Sequence, residues 1–180
     1  MLKLVVVING SGGVGKDTVC DVVAKHYKVM NVSSIDPIKK IAIENGWNGE
    51  KSEKSRKFLA DLKQLFIDYN ELPQKYLEKK YQEFLLNDSE ILFVHIRECK
   101  EIIKFLDYIE HKCITLLIRG RVDTKKEWNN RADDEVENYN YDYYYDNTMK
   151  LEEVENDFLE FFKDIIERKR QYEESNNLLS

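Results

Sequence analysis

The chain has little glycine and less proline, 7 and 2 in 180 residues, which excludes collagen-like and low-complexity readings. It has no excess of positive charge either: 28 Lys and Arg stand against 34 Asp and Glu, a net charge of −6. Proteins that grip a nucleic-acid backbone present a basic face, so this balance argues against nucleic acid as a partner. Cysteine is scarce. Cys20, Cys99 and Cys113 are odd in number and irregularly spaced, with no CxxC pair or Cys/His cluster beside them, so neither a zinc site nor a disulfide framework is supported. No apolar run approaches the roughly 20 residues that span a bilayer, and Leu4–Ile8 is too short for the core of a signal peptide. Together these absences predict a cytoplasmic protein with reduced thiols and no membrane attachment.

What is present suffices for one domain. Hydrophobic residues make up 42% of the chain and charged residues 34%, enough to bury a sizeable core at this length. The β-branched run Leu4–Ile8 lacks alternation, the pattern of a strand covered on both faces. Helical spacing resumes at Thr18 and holds through Ala24. Val29–Val32 reads as a second strand, and Pro37 behind Asp36 opens a helix to about Glu44. From Lys51 to Leu86 the chain is polar and helical, split by Pro73. Phe58, Leu59, Leu62, Leu65, Phe66 and Tyr69 mark its first apolar stripe. Ile91–Val94 and Ile114–Ile118 are further buried strands around a helix over 100–109. A Tyr-rich strand at Tyr141–Tyr145 precedes a last helix carrying Leu151, Val154, Phe158, Phe161, Phe162, Ile165 and Ile166, with a frayed tail expected from Glu173. Strands alternating with helices predict an α/β fold, a parallel sheet with helices on both faces. Two polar stretches, 46–87 and 119–138, stand outside the alternation as excursions from one core; the second holds no credible core segment.

Four of the seven glycines fall within six residues. Gly10-Ser11-Gly12-Gly13-Val14-Gly15-Lys16 fits G-x-x-x-x-G-K between a buried strand and an amphipathic helix. Glycines let backbone N–H groups wrap phosphate oxygens closely, and the following helix offers its positive end. Lys16 reaches the outer phosphates as a point charge. Asp17 then stands where Ser or Thr commonly ligates magnesium, with Thr18 behind it. Asp17 has two readings, a metal-directed carboxylate acting through water or a favourable anion at a helix N-terminus. The loop predicts ATP held by Gly10, Gly12, Gly13, Val14, Gly15, Lys16, Asp17 and Thr18, with Mg2+ provisionally assigned to Asp17.

Here the chain resembles the P-loop nucleotide kinases, and among them the deoxynucleoside monophosphate kinase-like group, whose loop carries the Gly-Lys-Asp-Thr seen at Gly15–Thr18. Asp36-Pro37-Ile38-Lys39 is similar to that group's Asp-Pro-Leu-Lys, and Lys54, Arg56, Phe58, Leu59 and Leu62 to its acceptor helix. His95-Ile96-Arg97 with Glu101 resembles its Asp-Val-Arg…Glu, and Tyr141–Asn147 its closing strand. The resemblance covers about residues 3–150. It implies a single P-loop kinase domain over 1–180, a three-layer sandwich in which 46–87 binds the acceptor and 119–138 forms a lid. The implied reaction is ATP- and Mg-dependent transfer of the γ-phosphate to a (deoxy)nucleoside monophosphate. Kinases acting on dephospho-CoA or phosphomevalonate, and a nucleotide-binding regulator with little turnover, are the alternatives. No Asp-x-x-Gly or Asn-Lys-x-Asp segment supports a GTPase switch.

A phosphate acceptor needs no general base, because with a second ionisation near pKa ~6 its attacking oxygen is already anionic at neutral pH. It needs cations. Lys16, Arg97, Arg119 and Arg131 are the candidate catalytic residues, with Arg121 beside them, and Asp36, Arg56 and Arg97 the candidate acceptor contacts. Asp36 reads equally as the N-cap of its helix. His95 stands where the group often has Asp and reads as structural; Trp47 reads as a loop anchor, the tyrosines as strand packing, and Asp133 as a residue that could hold an arginine. Among partners the reading names a small phosphate acceptor, and the long polar helices leave room for a homodimer.

Overall fold

The computed structural model describes residues 3–120 and 136–177. Five strands form one parallel sheet in the order β2-β3-β1-β4-β5: β1 (Leu4–Asn9), β2 (Val29–Ser33), β3 (Ile91–His95), β4 (Ile114–Arg119) and β5 (Tyr143–Asp146). The helices are α1 (Lys16–Ala24), α2 (Asp36–Glu44), α3 (Glu53–Asn70), α4 (Leu72–Leu86), α5 (Cys99–Tyr108) and α6 (Leu151–Asn177). The expected α/β sandwich is therefore what the chain adopts.

The register explains why the apolar runs carry no alternation. Leu4 pairs with Ile91 and Ile8 with His95 on one side of β1, while Val6 pairs with Ile114 and Asn9 with Leu117 on the other. Leu4, Val6 and Ile8 face α1 and α6, packing with Val19, Val23, Phe158 and Phe162. Val5 and Val7 face α4 and α5, packing with Leu77, Phe84, Ile102 and Phe105. Each residue of β1 is thus buried whichever way it points, as a strand inside a parallel sheet requires. Near its N-terminus, the Lys3 ammonium donates to the carbonyls of Phe84, Asn87 and Ser89 at 2.6–2.8 Å. It thereby caps the carbonyl end of α4.

Several expectations need correction. The apolar stripe of α3 is only half covered: Leu59, Leu62 and Phe66 are half-buried beside the buried Ser55 and Lys63, while Phe58, Leu65 and Tyr69 are exposed. The stretch 119–138 does contribute to the core, since Val136 is buried. The last strand begins at Tyr143 rather than Tyr141, because Tyr141 turns its ring into the core beneath Asn9. Asp36 is the first helical residue of α2 rather than its cap, which is Ile35. The last helix continues to Asn177, past the point where fraying was expected. Among the described residues no helix is long and apolar enough to cross a membrane.

Candidate active site at the carboxyl edge of the sheet

β1 ends at Asn9 and the glycine loop follows at once. At Gly10, φ is +149°, and an added Cβ would lie 2.5 Å from the Ile118 carbonyl oxygen of β4. Gly15 caps α1 in the left-handed region, φ 91°, and a Cβ there would come within 2.5 Å of the Asn147 amide nitrogen. Two glycines of the motif are therefore dictated by neighbouring backbone and side chain as well as by the loop's own turns. The Lys16 ammonium folds back over the loop, donating to the carbonyls of Gly10 and, at 3.1 Å, Ser11. Asp17 is exposed on the first turn of α1 and Thr18 half-buried behind it.

The loop is clamped at both ends by asparagines that sequence reasoning passed over. Asn9 is fully buried, and its Oδ1 accepts from Gly10 N–H at 2.8 Å. Its Nδ2 donates to the Arg97 carbonyl at 3.0 Å and to the Tyr141 hydroxyl at 2.7 Å. Asn147, just after β5, donates from Nδ2 to the Val14 carbonyl at 2.8 Å, and its backbone N–H to the Arg119 carbonyl at 2.8 Å. The only sequence signal was position: one amide directly before the glycines, one directly after the closing strand.

Arg97 lies two residues beyond the Ile8–His95 pair, so its backbone sits beside the loop entrance. That is the edge where ligands bind in open parallel sheets. His95 ends β3, with its Nε2 3.9 Å from Cys20 Sγ and 3.5 Å from Asn31 Oδ1. Burial pushes its ring down to about 4, so it is neutral at pH 7. Burial also raises the Cys20 thiol. The structural reading of His95 agrees with this setting. Arg119 ends β4 with its guanidinium stacked 4.4 Å from the centroid of the Tyr144 ring. Asp36 accepts the Ser33 N–H at 2.7 Å, which turns the chain from β2 into α2. Trp47 donates its indole N–H to Ser55 Oγ at 3.1 Å, the anchoring role expected of it. Arg56 lies on the first turn of α3. Arg121, Arg131 and Asp133 lie outside the described residues.

One further charged group adjoins Arg97. Lys63 of α3 is buried, and its ammonium meets Glu98 Oε2 at 2.7 Å and Glu101 Oε2 at 2.6 Å, both at the start of α5. Ser34, after β2, reaches Glu101 at 3.4 Å. Two carboxylates thus share one cation. Burial and the neighbouring Glu98 push Glu101 up to about 7. Although burial opposes it, Glu98 is held below the usual carboxylate range by the hydrogen bond with Glu101 and by Lys63. Between pH 4.5 and 7 the folded protein keeps a proton on Glu101 that the unfolded chain has released, so Glu101's contribution to stability falls as pH rises through that window. Urea midpoints from pH 5 to 8 should show wild type losing ground to Glu101→Gln, by about 1–3 kcal/mol in total. A pH-independent difference would contradict the shared proton.

No protein-family model matches the chain, and no curated protein matches it. Among solved structures it is similar to TT1252 from Thermus thermophilus, with a TM-score of 0.52 at 15% identity, covering 93% of this chain and 98% of that one. The likeness is one of fold. Looser matches are the Mycobacterium tuberculosis APS kinase CysC in complex with AMPPNP and APS (TM-score 0.47, 10% identity, 90% and 98% covered) and an unliganded sugar kinase from Janibacter sp. HTCC2649 (0.49, 14%, 91% and 95%).

Proposed function

We propose that this chain is a P-loop phosphotransferase. It moves the γ-phosphate of ATP, with Mg2+, to a small phosphorylated acceptor, preferably a (deoxy)nucleoside monophosphate. The observation that supports the reading is the glycine loop with Lys16 folded over it, next to the backbone of Arg97 at the same sheet edge and tied to it through the Asn9 amide. An acceptor phosphate oxygen attacks the γ-phosphorus in line, the bond to the β–γ bridging oxygen breaks, and ADP leaves. No proton needs removing from a dianionic acceptor. The chain's task is to position the two phosphates and offset their repulsion.

On the donor side the loop amides and Lys16 hold the triphosphate; on the acceptor side Arg97 can grip a phosphate with paired donors. Asp36 is engaged with Ser33 N–H, so its contact with an acceptor would use its remaining acceptor capacity, and Arg56 would add a second cation from α3. Among the described residues no three His, Cys, Asp or Glu side chains converge on a point. An ion that arrives on phosphates needs only one or two carboxylates and keeps several waters, and exposed Asp17 fits that part. When bound, magnesium neutralises charge on the β- and γ-phosphates.

ADP formation measured across ribo- and deoxynucleoside monophosphates, dephospho-CoA and phosphomevalonate tests the reading. Acceptor-dependent turnover is expected, strongest with a nucleoside monophosphate. Nucleotide binding without turnover across the panel would favour a regulator instead. Arg97→Ala should raise the acceptor KM roughly 10- to 100-fold, the worth of charged hydrogen bonds, with little change in ATP affinity. An equal loss for ATP would put Arg97 on the donor side.

A further inference from the structure

We propose that Asn9 and Tyr141 are positioning residues that fix the spacing between the glycine loop and Arg97, and so the alignment of donor with acceptor. The inference rests on the phosphotransferase reading above. An amide at the last position of a central strand is out of keeping with the aliphatic run before it, and a buried amide left unpaired costs about 1–3 kcal/mol. Here its capacity is used. Nδ2 donates to the Arg97 carbonyl and the Tyr141 hydroxyl, while Oδ1 accepts from Gly10 N–H. The Tyr141 hydroxyl donates to the Val136 carbonyl at 2.8 Å, so its oxygen can accept from Asn9. Only one orientation of the amide satisfies all three contacts. Burial raises the Tyr141 phenol, which keeps it a donor.

Three segments are tied by this hub: the entrance of the glycine loop, the backbone carrying Arg97, and the short turn that begins at Val136. The ladder between β1 and β3 ends at Ile8–His95. The Asn9 side chain continues it for two more residues, to where the acceptor arginine stands. A displacement of about 1 Å between reacting groups can cost on the order of 100-fold in rate. A hub that holds the two sides together therefore acts on kcat more than on affinity.

Tyr141→Phe tests this with the least disturbance, since the ring keeps its edge contacts with Tyr139 (5.0 Å) and Tyr144 (5.9 Å). It should lower kcat roughly 10-fold, with the ATP KM unchanged within about twofold and the folded protein intact. Asn9→Asp, which exchanges the donor for an acceptor, should do the same or worse. In an Arg97→Ala background Tyr141→Phe should cost less than about twofold, because the residue it positions is gone. Equal losses in both backgrounds, or an unchanged kcat, would overturn the proposal. If the wild-type protein transfers phosphate to no acceptor, it is the phosphotransferase reading that falls, and amide exchange then decides the hub. Tyr141→Phe should speed exchange at Gly10 and residues 97–99 but not in β4, whereas uniform or absent change would refute the tie.

Discussion

Lys16→Ala is expected to lower phosphoryl transfer by at least 100- to 1,000-fold, the usual loss when one charged stabiliser of a developing anion is removed. The fold should survive. The side chain donates hydrogen bonds to the carbonyls of Gly10 and Ser11 in the resting protein, and water can replace these at a half-exposed loop. Thermal unfolding should shift by only a few degrees. Turnover and circular dichroism on the same preparation separate the two effects. A folded Lys16→Ala protein with normal turnover would remove the lysine from the chemistry. The Lys16→Arg variant should recover little, since a planar guanidinium does not fit where a compact ammonium closes over the loop.

The second large effect is on stability. Lys63→Met should destabilise the protein by about 3 kcal/mol, toward the lower end of what breaking a buried ion pair costs, because Glu98 is 38% exposed to water. Met keeps the volume of the stem but leaves two carboxylates facing each other. The loss should be largest above pH 7, where Glu101 would have to ionise beside Glu98, and smaller at pH 5, where it carries a proton. Adding Glu98→Gln and Glu101→Gln to Lys63→Met should restore most of the stability, since the cost lies in the unpaired charges. Equilibrium denaturation at the two pH values measures this. A loss under 1 kcal/mol at both would mean that water already screens the cluster.

How much of this was legible depended on range. β1, β3 and β4 were visible because strands covered on both faces carry near-continuous apolar runs, a signal contained in four or five residues. The glycine loop was visible for the same local reason. Lys63 was not: its partners lie 35 and 38 residues away, and nothing around it distinguishes a paired lysine from a solvated one. The stripe from Phe58 to Tyr69 has helical spacing and yet only Leu59, Leu62 and Phe66 are half-covered, because spacing shows that a helix has an apolar side and not how much of it the rest of the fold covers. Tyr141 was read as strand packing, and its rings do pack; its bond to Asn9 spans 132 residues and no local pattern announces it. Asp36 had two readings, and the structure shows a third use of the carboxylate, closing the turn into its own helix.

The strand order has a consequence for how the molecule is made. β1 is translated before its neighbours and becomes the middle of the sheet, yet the strands on either side begin at Ile91 and Ile114. Until those segments leave the ribosome, a nearly all-aliphatic stretch has nothing to pair with, and its glycine-rich sequel has no scaffold. Such non-local pairing is slow to form and leaves sticky sequence uncovered meanwhile. The glycine loop, whose Gly10 packs against the Ile118 carbonyl, therefore gains that neighbour only after β4 has been made.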